Sequence, residues 1–145
     1  MSTVRVRDVL RGVAEHLAAS GVGFWSESEP APAGATLIAL KRLPESPDRA
    51  VAVSVYGMDM DAVLPDVEVP VQVLARSPGA ADDVDELADD VVAAMHGVHH
   101  ATWGSLRVQR CVHASTAPLG ADHNGREERS DNFLITTLRP TGGTP

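Results

Sequence analysis

One stretch, Val67 to Val98, constrains what this chain can fold into more than any other. It opens with Val67-Glu68-Val69-Pro70-Val71-Gln72-Val73-Leu74-Ala75-Arg76, breaks at Ser77-Pro78-Gly79, and continues from Ala80 to Val98 with a different period. In the first part Val67, Val69, Val71, Val73 and Ala75 alternate with Glu68, Pro70, Gln72, Leu74 and Arg76. That is the two-residue repeat of a strand with one buried face. In the second part Val84, Leu87, Ala88, Val91, Met95 and Val98 recur at helical spacing, while Asp82, Asp83, Asp85, Glu86, Asp89 and Asp90 fill the other side. A valine-faced strand joined by a short turn to an amphipathic helix shields both apolar surfaces. The acidic side is expected to face water, and Asp82, Asp83 and Asp85 also suit the positive end of the helix dipole.

The rest of the chain supplies elements that complete this core. Val6, Val9, Leu10, Val13 and Leu17 form an apolar stripe that predicts a first helix over 3–20, capped by Ser2 or Thr3 and stopped near Gly21 and Gly23. Phe24-Trp25 then packs that helix down. After a Pro- and Ser-rich loop, 35–43 and 50–56 read as strands, and the short connection between them favours an antiparallel hairpin. Gly57 to Asp66 mixes Met, Leu and acids and is either a loop tucked under the sheet or a docking segment. Gly97 and the His99-His100 pair mark the end of the second helix. Trp103 to Ala117 reads as a strand, with Leu106, Val108, Arg110, Val112 and Ala114 alternating against Arg107, Gln109, Cys111 and His113. Pro118 to Arg129 reads as a long exposed hairpin loop. Ser130 to Arg139 is the last strand, with Phe133, Ile135 and Thr137 on one face. The expected fold is α+β: a mostly antiparallel sheet of about five strands with two helices packed on it, in the order α-β-β-β-α-β-β. Residues 1–139 are expected to form one domain and 140–145 a disordered tail.

Charge and composition narrow the functional classes. A net charge of −8 argues against gripping nucleic-acid phosphates, though not against a surface that DNA passes without sticking. No apolar run approaches the roughly 20 residues of a membrane helix, and the N-terminus lacks a signal-peptide core. A lone cysteine, Cys111, has no internal disulfide partner. These features fit a protein made and kept in a reducing cytoplasm, or assembled from there into a larger particle.

Catalytic templates fail one by one. His96, His99 and His100 cluster near a helix end and give a weak metal alternative, but no Glu lies between paired histidines and Gly97 interrupts them. Cys111 and His113 share a strand face with about 7 Å between their Cα atoms, loose for a nucleophile and its base, with no third orienting group evident. Asp59 and Asp61 lack the further oxygen ligands of a calcium loop. Neither a phosphate-binding loop nor a Gly-x-Ser-x-Gly elbow occurs. The balance favours a structural or interaction protein. Two other classes are a metal-dependent enzyme around the histidines and a cytoplasmic binding module with its ligand near Trp25 and Tyr56.

The layout as a whole resembles a known family. A glycine-stopped amphipathic helix is followed by a hairpin, then Val71-Gln72-Val73-Leu74-Ala75-Arg76, then an acidic amphipathic helix. The closing strand carries Arg129-Ser130-Asp131-Asn132-Phe133 and ends in Leu134-Ile135-Thr136-Thr137-Leu138-Arg139. Over roughly residues 4–139 this is similar to the tail terminator, or minor capsid and tail completion, proteins of long-tailed bacteriophages and phage-tail-like particles. The resemblance implies a sheet flanked by helices and a homo-oligomeric ring, usually of six subunits, that caps the head-proximal end of the tail tube. It also implies partners in the tail-tube protein and a head-completion or neck protein, passage of DNA without specific binding, no catalysis, no cofactor and no membrane. The protein would be synthesised in the host cytoplasm and reside in the virion. A head–tail connector of the same type is the near alternative. Candidate contacts with neighbouring subunits or the tube are Met58, Asp59, Met60, Asp61 and Leu64 in one segment and Asp122, Asn124, Arg126, Glu127 and Glu128 in the other.

Overall fold

The computed structural model describes residues 4–57 and 66–138. The central strands are β3 (Asp66–Ser77) and β6 (Glu127–Leu138), paired antiparallel so that Val71 faces Phe133 and Val69 faces Ile135. Val67, Val69, Val71, Val73 and Ala75 point inward as their alternation requires, and Phe133, Ile135 and Thr137 do the same from β6. β2 (Ala50–Val55) flanks β3, and β1 (Leu37–Leu40) flanks β2. On the other side β6 is followed by β5 (Leu106–Ala121) and then β4 (His99–Trp103), giving the order β1-β2-β3-β6-β5-β4.

Both helices lie on the inner face of this sheet. α2 (Asp83–Met95) buries Val84, Leu87, Ala88, Val91 and Met95 against β3, β6 and β5. Each large side chain so buried contributes about 1.5–3 kcal/mol. α1 (Val6–Ala19) touches β1 and β2 at one edge and β4 and β5 at the other. One helix can meet both edges only because the sheet curls around it, as twisted strands do. Gly12 makes the closest part of that contact possible. A Cβ there would lie 2.5 Å from the Trp103 carbonyl oxygen and 2.9 Å from Leu106 Cβ. The His16 ring stacks on Trp103 at 4.2 Å, and its Nε2 lies 2.7 Å from the Ala94 carbonyl, so one side chain ties α1, α2 and β4 together.

The structure departs from the sequence reading in five places. First, β1 and β2 are parallel, with Leu37 opposite Ala50 and Leu40 opposite Val53, and do not form an antiparallel hairpin. Parallel neighbours usually need a crossover of a dozen residues or more. β1 is only four residues long, about 13 Å, so the nine residues 41–49 suffice to bring the chain back. Lys41, with φ 75°, turns it out of the strand. Second, His99 and His100 do not close the helix: they open β4, a sixth strand. Third, the alternation in β5 breaks. Gln109, Ala114 and Leu119 have no partner in β6, because the register shifts at each. The first of these bulges exchanges the faces, so Leu106 and Val108 point inward, then Cys111, while Arg110 and Val112 turn outward. Fourth, the expected 118–129 loop is mostly strand, since β5 runs to Ala121 and β6 starts at Glu127. Fifth, the second helix is shorter than expected at both ends, Asp83–Met95 against 80–98.

Candidate functional site

Charged side chains gather in two networks, one on each face of the central strands. On the inner face Arg129 lies beneath α2. Its Nη1 donates to Asp89 Oδ1 (2.9 Å) and Asp85 Oδ1 (3.2 Å), and its Nη2 to Asp131 Oδ1 (3.1 Å). Arg129 Nε also lies 3.0 Å from Asp131 Oδ2, an ion-pair contact without hydrogen-bond alignment. Burial works against the Arg129 charge, but Asp131, Asp89 and Asp85 more than offset it, and the net effect raises its pKa. The acids of α2 face water as expected, and two of its five, Asp85 and Asp89, also bind Arg129.

Asp131, 1% exposed, also meets His113 Nε2 at 2.9 Å and accepts from the Thr116 hydroxyl at 2.5 Å. Thr116 Oγ1 is 3.1 Å from the same His113 nitrogen. A hydroxyl–imidazole–carboxylate relay needs the acid on one ring nitrogen and the nucleophile on the other. Here both crowd Nε2, so the group works as a three-way pin across β5 and β6. It is the orienting neighbourhood of His113 that the sequence did not reveal. Cys111, beside it, is fully buried, and burial pushes its thiol up to about 12, far from the thiolate a nucleophile needs.

On the outer face two arginines hold the 41–49 connection. Arg76 Nε donates to the Asp48 carbonyl (2.9 Å) and its Nη2 to the Pro47 carbonyl (2.7 Å). Arg126 Nη1 donates to the Glu45 carbonyl (2.7 Å) and reaches Asp48 Oδ1 at 3.2 Å. Burial, followed by the neighbouring Arg126 charge, lowers the Arg76 pKa. Asp122 completes the set. It accepts from the backbone N–H groups of Asn124 and Arg126, each at 2.9 Å, and from Arg126 Nε at 2.9 Å. The backbone N–H of Arg126 is the first of the contacts that hold its carboxyl below the usual aspartate range.

The predicted site residues are scattered over this frame. Asp122 and Arg126 form the β5–β6 turn and are already engaged, Asn124 is exposed, and Glu127 and Glu128 are half-buried at the start of β6. Met58, Asp59, Met60, Asp61 and Leu64 lie outside the described residues, as does the 140–145 tail. The three histidines do not share one site. His96 Nδ1 accepts the backbone N–H of His113 (3.0 Å), while His99 Nδ1 sits 3.2 Å from the Gly97 carbonyl and packs edge-on against His100. Among the described residues no group of three or more His, Cys, Asp or Glu converges in a metal-ligand geometry. Trp25 packs against the core, whereas Tyr56 is 58% exposed. Arg129 and Asp131 had a signal in the sequence: they share the inward register of Phe133 and Ile135, where a charge requires a partner.

What this geometry defines is an α+β fold in which Arg76, Arg126 and Arg129 fasten helix, sheet and connection to one another. A family model described as bacteriophage tail terminator protein matches residues 16–139, and the chain belongs to that family. It is a structural tail protein of phage-type virions. Among solved structures, a chain in the virion of a native gene transfer agent particle is similar, with a TM-score of 0.53 and 12% identity. The match covers 71% of this chain and 78% of that one, and at such identity the likeness is one of fold. Comparison with curated protein sequences returned no match.

Proposed function

We propose that this protein closes the head-proximal end of a tail tube as a ring of copies of itself, six in number, and joins the tube to the head or neck. The observation that carries the reading is the family match over residues 16–139, which spans every strand and α2. The acidic surface supports it, because a lining of like charge lets DNA pass without sticking. In this reading Met58, Asp59, Met60, Asp61 and Leu64, with Asp122, Asn124, Arg126, Glu127 and Glu128, contact neighbouring subunits or the tube. The subunit is made in the host cytoplasm, carries no cofactor and catalyses nothing. The test is tube growth. Tail-tube protein polymerising alone should give tubes of varied length in electron micrographs. Adding this protein should arrest growth and leave a ring of extra density at one end. Unchanged tube lengths with no end density would overturn the proposal.

A further inference from the structure

Two surfaces on the helix side of the molecule carry opposite charge, one at the start of α1 and the other along α2. The first is a groove of about 290 Å³ lined by Val6, Arg7, Leu10, Arg11, Leu40 and Lys41. Its floor is apolar, and Val6 is 39% exposed. Arg11 is paired with Glu27, but Arg7, Lys41 and the adjacent Arg42 are exposed and have no ion-pair partner among the described residues. Twelve basic residues serve the whole chain, so three unpaired ones around one apolar groove are a concentration. The second surface is the outer side of α2. Once Asp85 and Asp89 are assigned to Arg129, the exposed Asp82, Asp83, Glu86 and Asp90 remain without a cation among the described residues. Beside them opens a second groove of about 370 Å³, lined by Ser20, Gly21, Val22, Asp90, Ala93 and Ala94, whose small side chains let a neighbour approach. Residues 12–19 of α1, about 12 Å of helix, run between the two grooves.

We propose that the cationic groove at the start of α1 receives the acidic face of α2 from a second copy of this chain. The two patches differ, so the contact is head-to-tail, and repeating it generates a ring when the rotation closes and an open chain when it does not. The proposal rests on the ring reading and names the surfaces that would build it. Carboxylates of Asp83 and Glu86 would meet Arg7 and Lys41, with Val6 and Leu40 excluding water between them. Such pairing speeds assembly and fixes which face meets which.

The test is sedimentation velocity on the full chain over a concentration series at low salt, with three variants whose changes fall on exposed positions. Wild type is expected to associate, and salt at about 1 M, where the screening length falls to about 3 Å, should reverse this. Arg7→Glu with Lys41→Glu should weaken association by at least about tenfold, and so should Asp83→Lys with Glu86→Lys, because each makes groove and face alike in sign. An equimolar mixture of the two variants should recover association, since each reversed patch then finds an opposite one on the other variant. All four changes in one chain should recover it as well. Unchanged melting of the variants excludes unfolding as the cause. Association that neither reversal weakens would overturn the charge pairing and leave the ring reading standing. Open chains that both reversals abolish and mixing restores would uphold the pairing and refute the closed ring. A wild type that stays monomeric at low salt overturns the pairing.

Discussion

The inner and outer charged networks use the same residue types to different ends. On the inner face one arginine meets three carboxylates, and the innermost, Asp131, is 1% exposed and also holds His113 and Thr116. On the outer face two arginines lie close enough for Arg126 to disfavour the charge on Arg76, and they bind mainly the backbone carbonyls of Glu45, Pro47 and Asp48. The inner network answers a problem of buried charge, since Asp131 without Arg129 would be an uncompensated anion in the core. The outer one answers a problem of unsatisfied backbone, because the 41–49 connection has few ladder partners for its carbonyls. A salt bridge fastens α2 in one case, and a pair of side-chain clamps fastens a crossover in the other.

The comparison can be broken at its strongest point first. Arg129→Ala should cost about 3–5 kcal/mol in chemical denaturation, the penalty for orphaning a buried carboxylate. Arg129→Met combined with Asp131→Leu should cost much less, because both charges then leave together. A loss below about 1 kcal/mol for the single change would show that Asp131 is protonated or hydrated in place. Arg76→Ala should come next, at about 1.5–3 kcal/mol for charge-assisted bonds to carbonyls. Its signature should be local: hydrogen exchange accelerates across 44–50 and β1 while α2 stays protected, and uniform acceleration would contradict a clamp confined to the crossover. Asp89→Asn, at an exposed end of the inner network, should cost under about 1 kcal/mol, and a larger loss would mean that the exposed acids share the burden of Asp131.

The smallest effect is one of pH. Asp122 has a depressed carboxyl pKa, held chiefly by the backbone N–H of Arg126. A group depressed in the folded state stabilises above the usual aspartate value of about 3.9, and that contribution is lost as pH falls through the folded value. The amide signals of Asn124 and Arg126 should therefore move together only below about pH 3.9. Movement nearer neutrality would assign the turn to another group.

Most of the inner face is legible in the sequence, because a strict two-residue valine repeat leaves one orientation for β3 and a helical repeat leaves one for α2. Val71 and Phe133 face each other as their registers demand. The outer strands are harder to read for a physical reason. Period-two reasoning assumes an unbroken ladder, and each bulge in β5 resets it, so Cys111 changes sides while its neighbours in sequence look regular. The parallel β1–β2 pair is hidden because turn chemistry marks where a chain bends, not which way it returns. Arg129 and Asp131 stand out as inward-register charges, but the other partners of Arg129, Asp85 and Asp89, lie about 40 residues away, and sequence spacing carries no such distance. The histidines mislead in the opposite direction, since closeness in sequence suggests one shared site, whereas His99 packs on His100 and His96 is taken up by the His113 N–H.

The three bulges of β5 have a consequence for shape. From Val108 to Ala121 the strand spends fourteen residues against the eleven of β6 between Glu127 and Thr137, and the excess is delivered at regular intervals: Gln109, Ala114, Leu119. Two tracks of unequal length fastened rung by rung must curve, with the longer on the outside. The bend of the sheet between β6 and β5 is thus written in chain length and not in side-chain chemistry. It can be altered in discrete steps by removing one unpartnered residue at a time, each step leaving every remaining rung with its own pair.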